Sequence, residues 1–449
     1  MKNKLEKIFL SEILKGIAEP TEDCVVSSVV VDSRKVEKNS IFLAIKGEKV
    51  NGEDYAAKAI EKGACFVLSE NYIPDVPASK QAVVSNILDA SIMLGANHRN
   101  KFDIKIVGVT GSVGKTSTKD FIYTALSGFA PTVRSLGNHN NEIGMPQTIF
   151  GFSHTDKYAV LEMGMDDLGD VHKLSCAAKP DYAVISCIGV SHLEKLGSRE
   201  NILKAKMEIC DGMDKNGVLV LNGDDAFLKS VKVKNPVNVK YFAIENNDAD
   251  VVAKNITNEK LSTTFTICDK IYGDIQCTIP VVGLHNVMNA VSAYTVVTAM
   301  GFDPVQTAKN LAGYEPSGMR GKVVEKDGIT FIEDCYNASP DSMRAAVDSV
   351  CAIGGKRKIC VFGDMLELGE NSDKMHREVG EYAKSKGIDV MFCFGEKAKF
   401  IAEGFECAKL FETKNQLADC LKNTLQPGDI VVFKASRGMA FEEIIEKVY

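Results

Sequence analysis

The chain has 449 residues, 45% hydrophobic and 25% charged, with 36 glycines and a net charge of −7. That is the profile of a soluble α/β protein long enough for two to four domains, and its acidic balance excludes a general nucleic-acid binder. No apolar run approaches a membrane span, and thirteen cysteines without a Cys-x-x-Cys pair fit reduced thiols in a cytoplasm better than zinc or a disulfide scaffold.

In chain order, residues 1–20 carry apolar positions interrupted by Glu6, Ser11, Glu12 and Lys15, which predicts an amphipathic helix rather than a secretory segment. Strands are expected at 25–31, 40–45 and 64–68, with helices near 54–62 and at 87–97. From about 101 to 314 short β-rich runs (104–109, 158–162, 182–187, 218–221) alternate with helical patterns, the mark of a mostly parallel sheet. Residues 250–282 alternate polar and apolar, as antiparallel strands do, and 285–300 form an apolar helix too short for a membrane. Glycines and Pro316 between 314 and 321 mark a hinge. Beyond it the runs 329–332, 358–362, 390–394 and 430–433 predict a second, Rossmann-like doubly wound unit. The fold expected is α/β in three domains: 1–100, a central P-loop ATPase-like domain at 101–314, and 315–449.

The apolar run at 104–109 enters the loop Thr110-Gly111-Ser112-Val113-Gly114-Lys115-Thr116-Ser117. A buried strand, a glycine turn and a helix start aim backbone N–H groups and the positive helix end at one point, which suits polyphosphate. Lys115 adds a charge for the terminal phosphates, and the Thr116 hydroxyl can ligate Mg²⁺. The strict Walker spacing would place a glycine at Val109, so the match is imperfect. Three residues beyond the loop have the right chemistry and individually bland explanations. Glu162 ends a strand, where a solvated loop charge is common; His192 follows a strand, where a hydrogen-bonding histidine is common; Lys206 reads as an exposed helix lysine.

In order, however, the loop, Glu162, His192-Leu193-Glu194, Ala205-Lys206, Gly283-Leu284-His285-Asn286 with Asn289-Ala290, and Arg320 resemble the Mur ligase family. Asp334-Cys335-Tyr336-Asn337-Ala338-Ser339-Pro340-Asp341-Ser342, Gly363-Asp364-Met365-Leu366-Glu367-Leu368-Gly369, Asn138–Pro146 and Lys434-Ala435-Ser436-Arg437-Gly438-Met439 resemble its MurF type. That family uses the compressed glycine loop. The resemblance implies ATP-dependent amide formation: a carboxylate of a UDP-N-acetylmuramoyl-tripeptide is phosphorylated, and the amine of D-Ala-D-Ala displaces phosphate.

By the same resemblance, Lys115, Glu162, His192 and Lys206 are catalytic, and Thr116 and Glu162 hold one Mg²⁺. His192 and a carbamylated Lys206 help hold a second. The loop from Gly111 to Ser117 cradles phosphate, His285, Asn286 and Asn289 frame adenine, Arg320 meets a phosphate and Asp334 the ribose. Substrate contacts fall to Ser33, Arg34, Asn140, Asn141, Tyr336, Asn337, Lys434, Ser436 and Arg437. The first domain, with Asp32-Ser33-Arg34, Phe42–Ile45 and Gly47-Glu48, resembles the family's uridine-nucleotide domain, and the third the domain that takes the incoming dipeptide. Two departures stand out: Asn51-Gly52-Glu53-Asp54 lacks the usual histidine, and Ser339 replaces an asparagine. A cytoplasmic monomer with no nucleic-acid partner and no membrane insertion is expected.

Two other classes fit less well. A switch GTPase would need its guanine motif after the loop, whereas Asn100-Lys101-Phe102-Asp103 precedes it, and Asp166-Asp167-Leu168-Gly169 is a chance-level match. A nucleotide-gated binding protein would need neither Glu162, His192 and Lys206 nor the second doubly wound unit. Within the family, the ligase adding the third amino acid is the alternative. Its diaminopimelate-adding form carries an Asp-Asn-Pro-Arg stretch that this chain lacks.

Overall fold

A computed structural model describes residues 5–47, 50–233, 237–259 and 261–449; Glu48 and the first four residues of the expected N-terminal helix lie outside them. Among the described residues three large sheets follow one another along the chain, besides one two-stranded pairing near its start. The first is four-stranded and parallel, in the order Ser28–Val30, Ser40–Leu43, Phe66–Ser69, Gln81–Val83. The expected helix over 1–20 is instead a strand, Ile8–Phe9, paired with Val25–Val26, and a single turn, Leu10–Ile13. Its apolar residues Leu5, Ile8, Leu10, Ile13 and Leu14 are all buried, so burial rather than helical periodicity spaces them.

The central sheet has nine strands among the described residues. Its order is Gly273–Ile279, Ser262–Asp269, Val251–Glu259, Asn238–Ala243, Val218–Asn222, Tyr182–Ile185, Lys105–Thr110, Tyr158–Glu162, Thr132–Arg134. All pairings are parallel except the two joining the first three, which form the antiparallel end expected over 250–282. Lys105–Thr110 is an interior strand, and Val107 and Val109 pack on one face against the helices Lys115–Ser127 and Leu284–Ala299. Ile106 packs on the other, against Asp170–Ala178 and Arg199–Met207. Burial on both faces explains a run with no polar alternation after Lys105. The chain leaves this strand to either side, so its carboxyl end is a topological switch point, where such sheets bind ligands.

The third sheet runs Lys322–Lys326, Ile329–Glu333, Asp429–Lys434, Arg357–Gly363, Val390–Phe394, Lys409–Phe411, parallel apart from its first hairpin. The segment before it is anchored to the central domain by Tyr314, whose ring stacks on Phe121 at 3.6 Å and 8°. Gly318 (φ +62°) and Gly321 (φ +74°) then turn through left-handed backbone, with nothing within 4 Å of a Cβ at either. Among the described residues no helix is long and apolar enough to cross a membrane.

Candidate active site

The glycine loop closes tightly over the sheet. A Cβ on Gly111 (φ +150°) would stand 1.9 Å from Ser186 Oγ, and one on Gly114 (φ +85°) 2.9 Å from Asn289 Oδ1. Neither position tolerates a side chain, which is why a glycine loop here brings bare backbone to the phosphate position. Ser112 N–H donates to Cys187 O at 2.9 Å and Ser186 Oγ–H to Val113 O, locking the loop to the neighbouring strand end. Lys115 Nζ donates to Gly111 O at 2.8 Å. Burial pulls its pKa down while the Glu162 carboxylate opposes that.

Thr116, in the first turn of the helix, donates its hydroxyl to Glu162 Oε2 at 2.7 Å. Asn140 Nδ2 donates to Glu162 Oε1 at 2.9 Å, and Glu162 N–H to Ser135 Oγ at 3.1 Å. A hydroxyl and a carboxylate oxygen this close, 6% and 2% exposed, form an oxygen donor pair suited to a hard cation. Among the described residues no group of three His, Cys, Asp or Glu side chains is arranged to hold a metal alone. Mg²⁺ fits such a sparse set, because it usually takes one or two carboxylates and completes its shell with substrate phosphates and water.

His192 sits in left-handed backbone (φ +63°). Its Nδ1 is 3.6 Å from Asp166 and 3.8 Å from Glu367, a residue of the third domain. Burial first, then the Lys115 ammonium, lower its pKa to about 4, which keeps the imidazole neutral and free to ligate. Lys206 is 1% exposed, not the surface lysine its helix suggests. Burial and the Lys115 ammonium push it well below its ordinary pKa.

The phosphate loop, Glu162 and His192 open onto one cleft of about 1140 Å³ between the central and third domains. His285, Asn286 and Asn289 line it from the start of the helix Leu284–Ala299, and Arg320, Asp334, Tyr336, Asn337 and Lys434 from the third domain. Asn289 Oδ1 accepts from Thr118 at 3.0 Å, and Asn286 Nδ2 donates to Val282 O at 2.9 Å. The Arg320 guanidinium lies over the Tyr336 ring at 3.9 Å. Lys434, 3% exposed, donates to Asp334 Oδ2 at 2.6 Å and to Asn337 O at 3.1 Å.

Other expected residues stand elsewhere. Asn141 lines the cleft, but its Oδ1 caps the turn at Gly144 N–H (2.9 Å). Ser436 Oγ accepts from Leu366 N–H at 2.9 Å, and Arg437 pairs with Glu442 at 2.7 Å. Arg34 is exposed and paired with Asp32 at 2.9 Å, and Ser33 begins the same short turn in the first domain. None of these last four is among the cleft-lining residues. Sequence reasoning gave no role to Ser186, Ser135, Asp166 or Glu367, which folding brings to the loop, to Glu162 and, for the last two, to His192. It also gave none to Lys119 and Asp120, whose only signal was two opposite charges on an otherwise buried helix face.

Comparison with known proteins covers nearly the whole chain. Family models match in sequence order: Mur ligase family, catalytic domain (25–101), Mur ligase middle domain (109–297), and Mur ligase, glutamate ligase domain (319–437). A Bacillus subtilis UDP-N-acetylmuramoyl-tripeptide–D-alanyl-D-alanine ligase is 37% identical over 97% of this chain and 96% of its own. A crystal structure of MurF from Acinetobacter baumannii superposes with TM-score 0.91 at 29% identity, covering 99% of both chains. The MurF ligase of Thermotoga maritima in complex with ADP gives 0.86 at 29% identity, covering 94% of this chain and 96% of that one.

Proposed function

Because the chain belongs to the Mur ligase family, we propose that it joins D-alanyl-D-alanine to UDP-N-acetylmuramoyl-tripeptide, using ATP and releasing ADP and phosphate. Its product is a peptidoglycan precursor. The observation that carries this reading is the interdomain cleft, in which the glycine loop, Glu162 and His192 face Arg320, Asp334 and Lys434. In this reading residues 1–100 hold the UDP-muramoyl end, 101–314 hold ATP and 315–449 receive the dipeptide. The same reading takes the protein as a monomer in the cytoplasm, a setting that suits its cysteines as reduced thiols.

A carboxylate is a poor electrophile for an amine at neutral pH, and phosphorylation supplies the missing leaving group. The tripeptide carboxylate attacks the γ-phosphorus of ATP, forming an acyl phosphate and ADP. The dipeptide amine then attacks the acyl carbon, the C–N bond forms, and the C–O bond to phosphate breaks. The protein's part is positioning and charge neutralisation. Backbone N–H groups of the loop and Lys115 draw charge from the phosphates. His285, Asn286 and Asn289 hold the base, and Arg320 and Asp334 reach the nucleotide from across the linker. Thr116 and Glu162 would hold one Mg²⁺, and His192 with Lys206 a second; bound there, the ions would offset phosphate charge. An unprotonated, buried Lys206 amine is the form that adds CO₂ to give a carbamate and a proton, turning a neutral amine into an anionic ligand. Closure of the cleft keeps water from the acyl phosphate.

The test is isotope transfer. With the tripeptide's terminal carboxylate labelled with ¹⁸O, one label per turnover appears in phosphate when ATP and D-Ala-D-Ala are both present. Unlabelled phosphate would rule out the acyl phosphate route.

A further inference from the structure

Behind the glycine loop lies a chain of buried charges that the proposed chemistry leaves without a role. Lys119 and Asp120, both 1% exposed, sit on the helix that begins at Lys115. Lys119 Nζ stands between two carboxylates, 3.3 Å from Asp120 Oδ1 and 3.8 Å from Glu162 Oε2, the oxygen that accepts from Thr116. Asp120 is held in turn by Arg134 NH1 at 3.0 Å. The Ser317 hydroxyl donates to its other oxygen at 2.6 Å. Ser317 belongs to the linker between the central and third domains, three residues past the Tyr314 ring stacked on Phe121. The links therefore run without a gap from linker to cation pole: Ser317, Asp120, Lys119, Glu162, Thr116.

Buried ion pairs add little stability over apolar packing of the same volume, so this one calls for another explanation. An ammonium shared by two carboxylates offsets the charge of whichever it approaches. We propose that Lys119 and Asp120 are positioning residues that set the cation affinity of Glu162, and that Ser317 ties this setting to the linker. The inference rests on Glu162 being a cation ligand, as in the reading above. The signs follow from charge alone. Without Lys119, Glu162 loses its competing cation and binds Mg²⁺ or Mn²⁺ more tightly. Without the Asp120 charge, Lys119 pairs with Glu162 alone and competes harder. Without the Ser317 hydroxyl, Asp120 draws Lys119 toward itself, a weaker version of the Lys119 loss.

The test is Mn²⁺ binding to the full chain with stoichiometric ADP, read by the free-Mn²⁺ electron paramagnetic resonance signal. Expected are Lys119→Met with a dissociation constant about threefold or more below wild type, and Asp120→Asn with one about threefold or more above it. Ser317→Ala should fall between Lys119→Met and wild type, and Ser317→Thr, which keeps the hydroxyl, should match wild type. A purely structural role would weaken binding in Lys119→Met and Asp120→Asn alike. That result, or no shift in any variant, overturns the inference. If Ser317→Ala alone is unchanged, the link to the linker is overturned. If wild type and Glu162→Gln bind Mn²⁺ equally, the cation pole itself fails, which is a separate outcome from failure of the Lys119 pair.

Discussion

Lys206 is a lysine in the wrong solvent. Burial comes first and the nearby Lys115 ammonium repels it further, so the fold favours the neutral amine. If that amine carries a carbamate, Lys206→Ala loses most of the phosphate-release activity, and added formate or acetate returns part of it by restoring a carboxylate. Wild-type protein under ¹³CO₂ should show a carbamate carbon resonance that the variant lacks; full activity in the variant would refute the role. The position was partly legible. Ile202, four residues earlier in its helix, and Ile209 and Cys210, three and four residues later in the short helical turn Glu208–Cys210 that follows, are buried, which puts Lys206 on the apolar side. What the sequence hid was depth, because a long side chain at the edge of an apolar face ordinarily snorkels to water.

At the scale of elements, the helix Ile87–Arg99 ends against the junction of the first and central domains. There His98, fully buried, has no hydrogen bond at either ring nitrogen and rests edge-on to Phe102 and Phe150 at 5.0 and 6.1 Å. Burial first, then Lys101 and His154, lower its pKa from 6.5 to about 4. Below 6.5 the unfolded chain takes up the proton before the fold does. This site's contribution is therefore complete above pH 6.5 and is lost as pH falls toward 4. The shift corresponds to about 3 kcal/mol. Urea unfolding across that range should show the loss, and His98→Leu should flatten it by about that amount; equal slopes would contradict the assignment.

Elements with long apolar runs were readable almost to the residue. Tyr158–Glu162 and Val390–Phe394 stand where the pattern put them, because burial on both faces leaves an unbroken apolar run. The edges were not readable. Thr132–Arg134 has three residues, and Lys322–Lys326 has lysine at each end; short and charged strands are how sheets protect their edges, and they look like loop.

Across the whole molecule, the site was legible as a set of residues but not as an arrangement. Motif order named Thr116, Glu162, Asn140 and Lys434, and the structure joins the first three by hydrogen bonds. It also turns Lys434 onto Asp334, 100 positions away, and Arg437 onto Glu442, away from the cleft lining. The Lys434 contact leaves no local trace, since it depends on how distant strands pack, whereas the Arg437 contact spans five residues and only its direction, away from the cleft, had to come from the fold.

The central claim concerns which two substrates meet in the cleft. Phosphate release should be followed with ATP and Mg²⁺ while UDP-muramoyl-tripeptide and D-Ala-D-Ala are supplied singly and together. The account predicts release only with both, for a tripeptide ending in lysine or in diaminopimelate. Equal turnover with a UDP-muramoyl dipeptide and a single amino acid would contradict it.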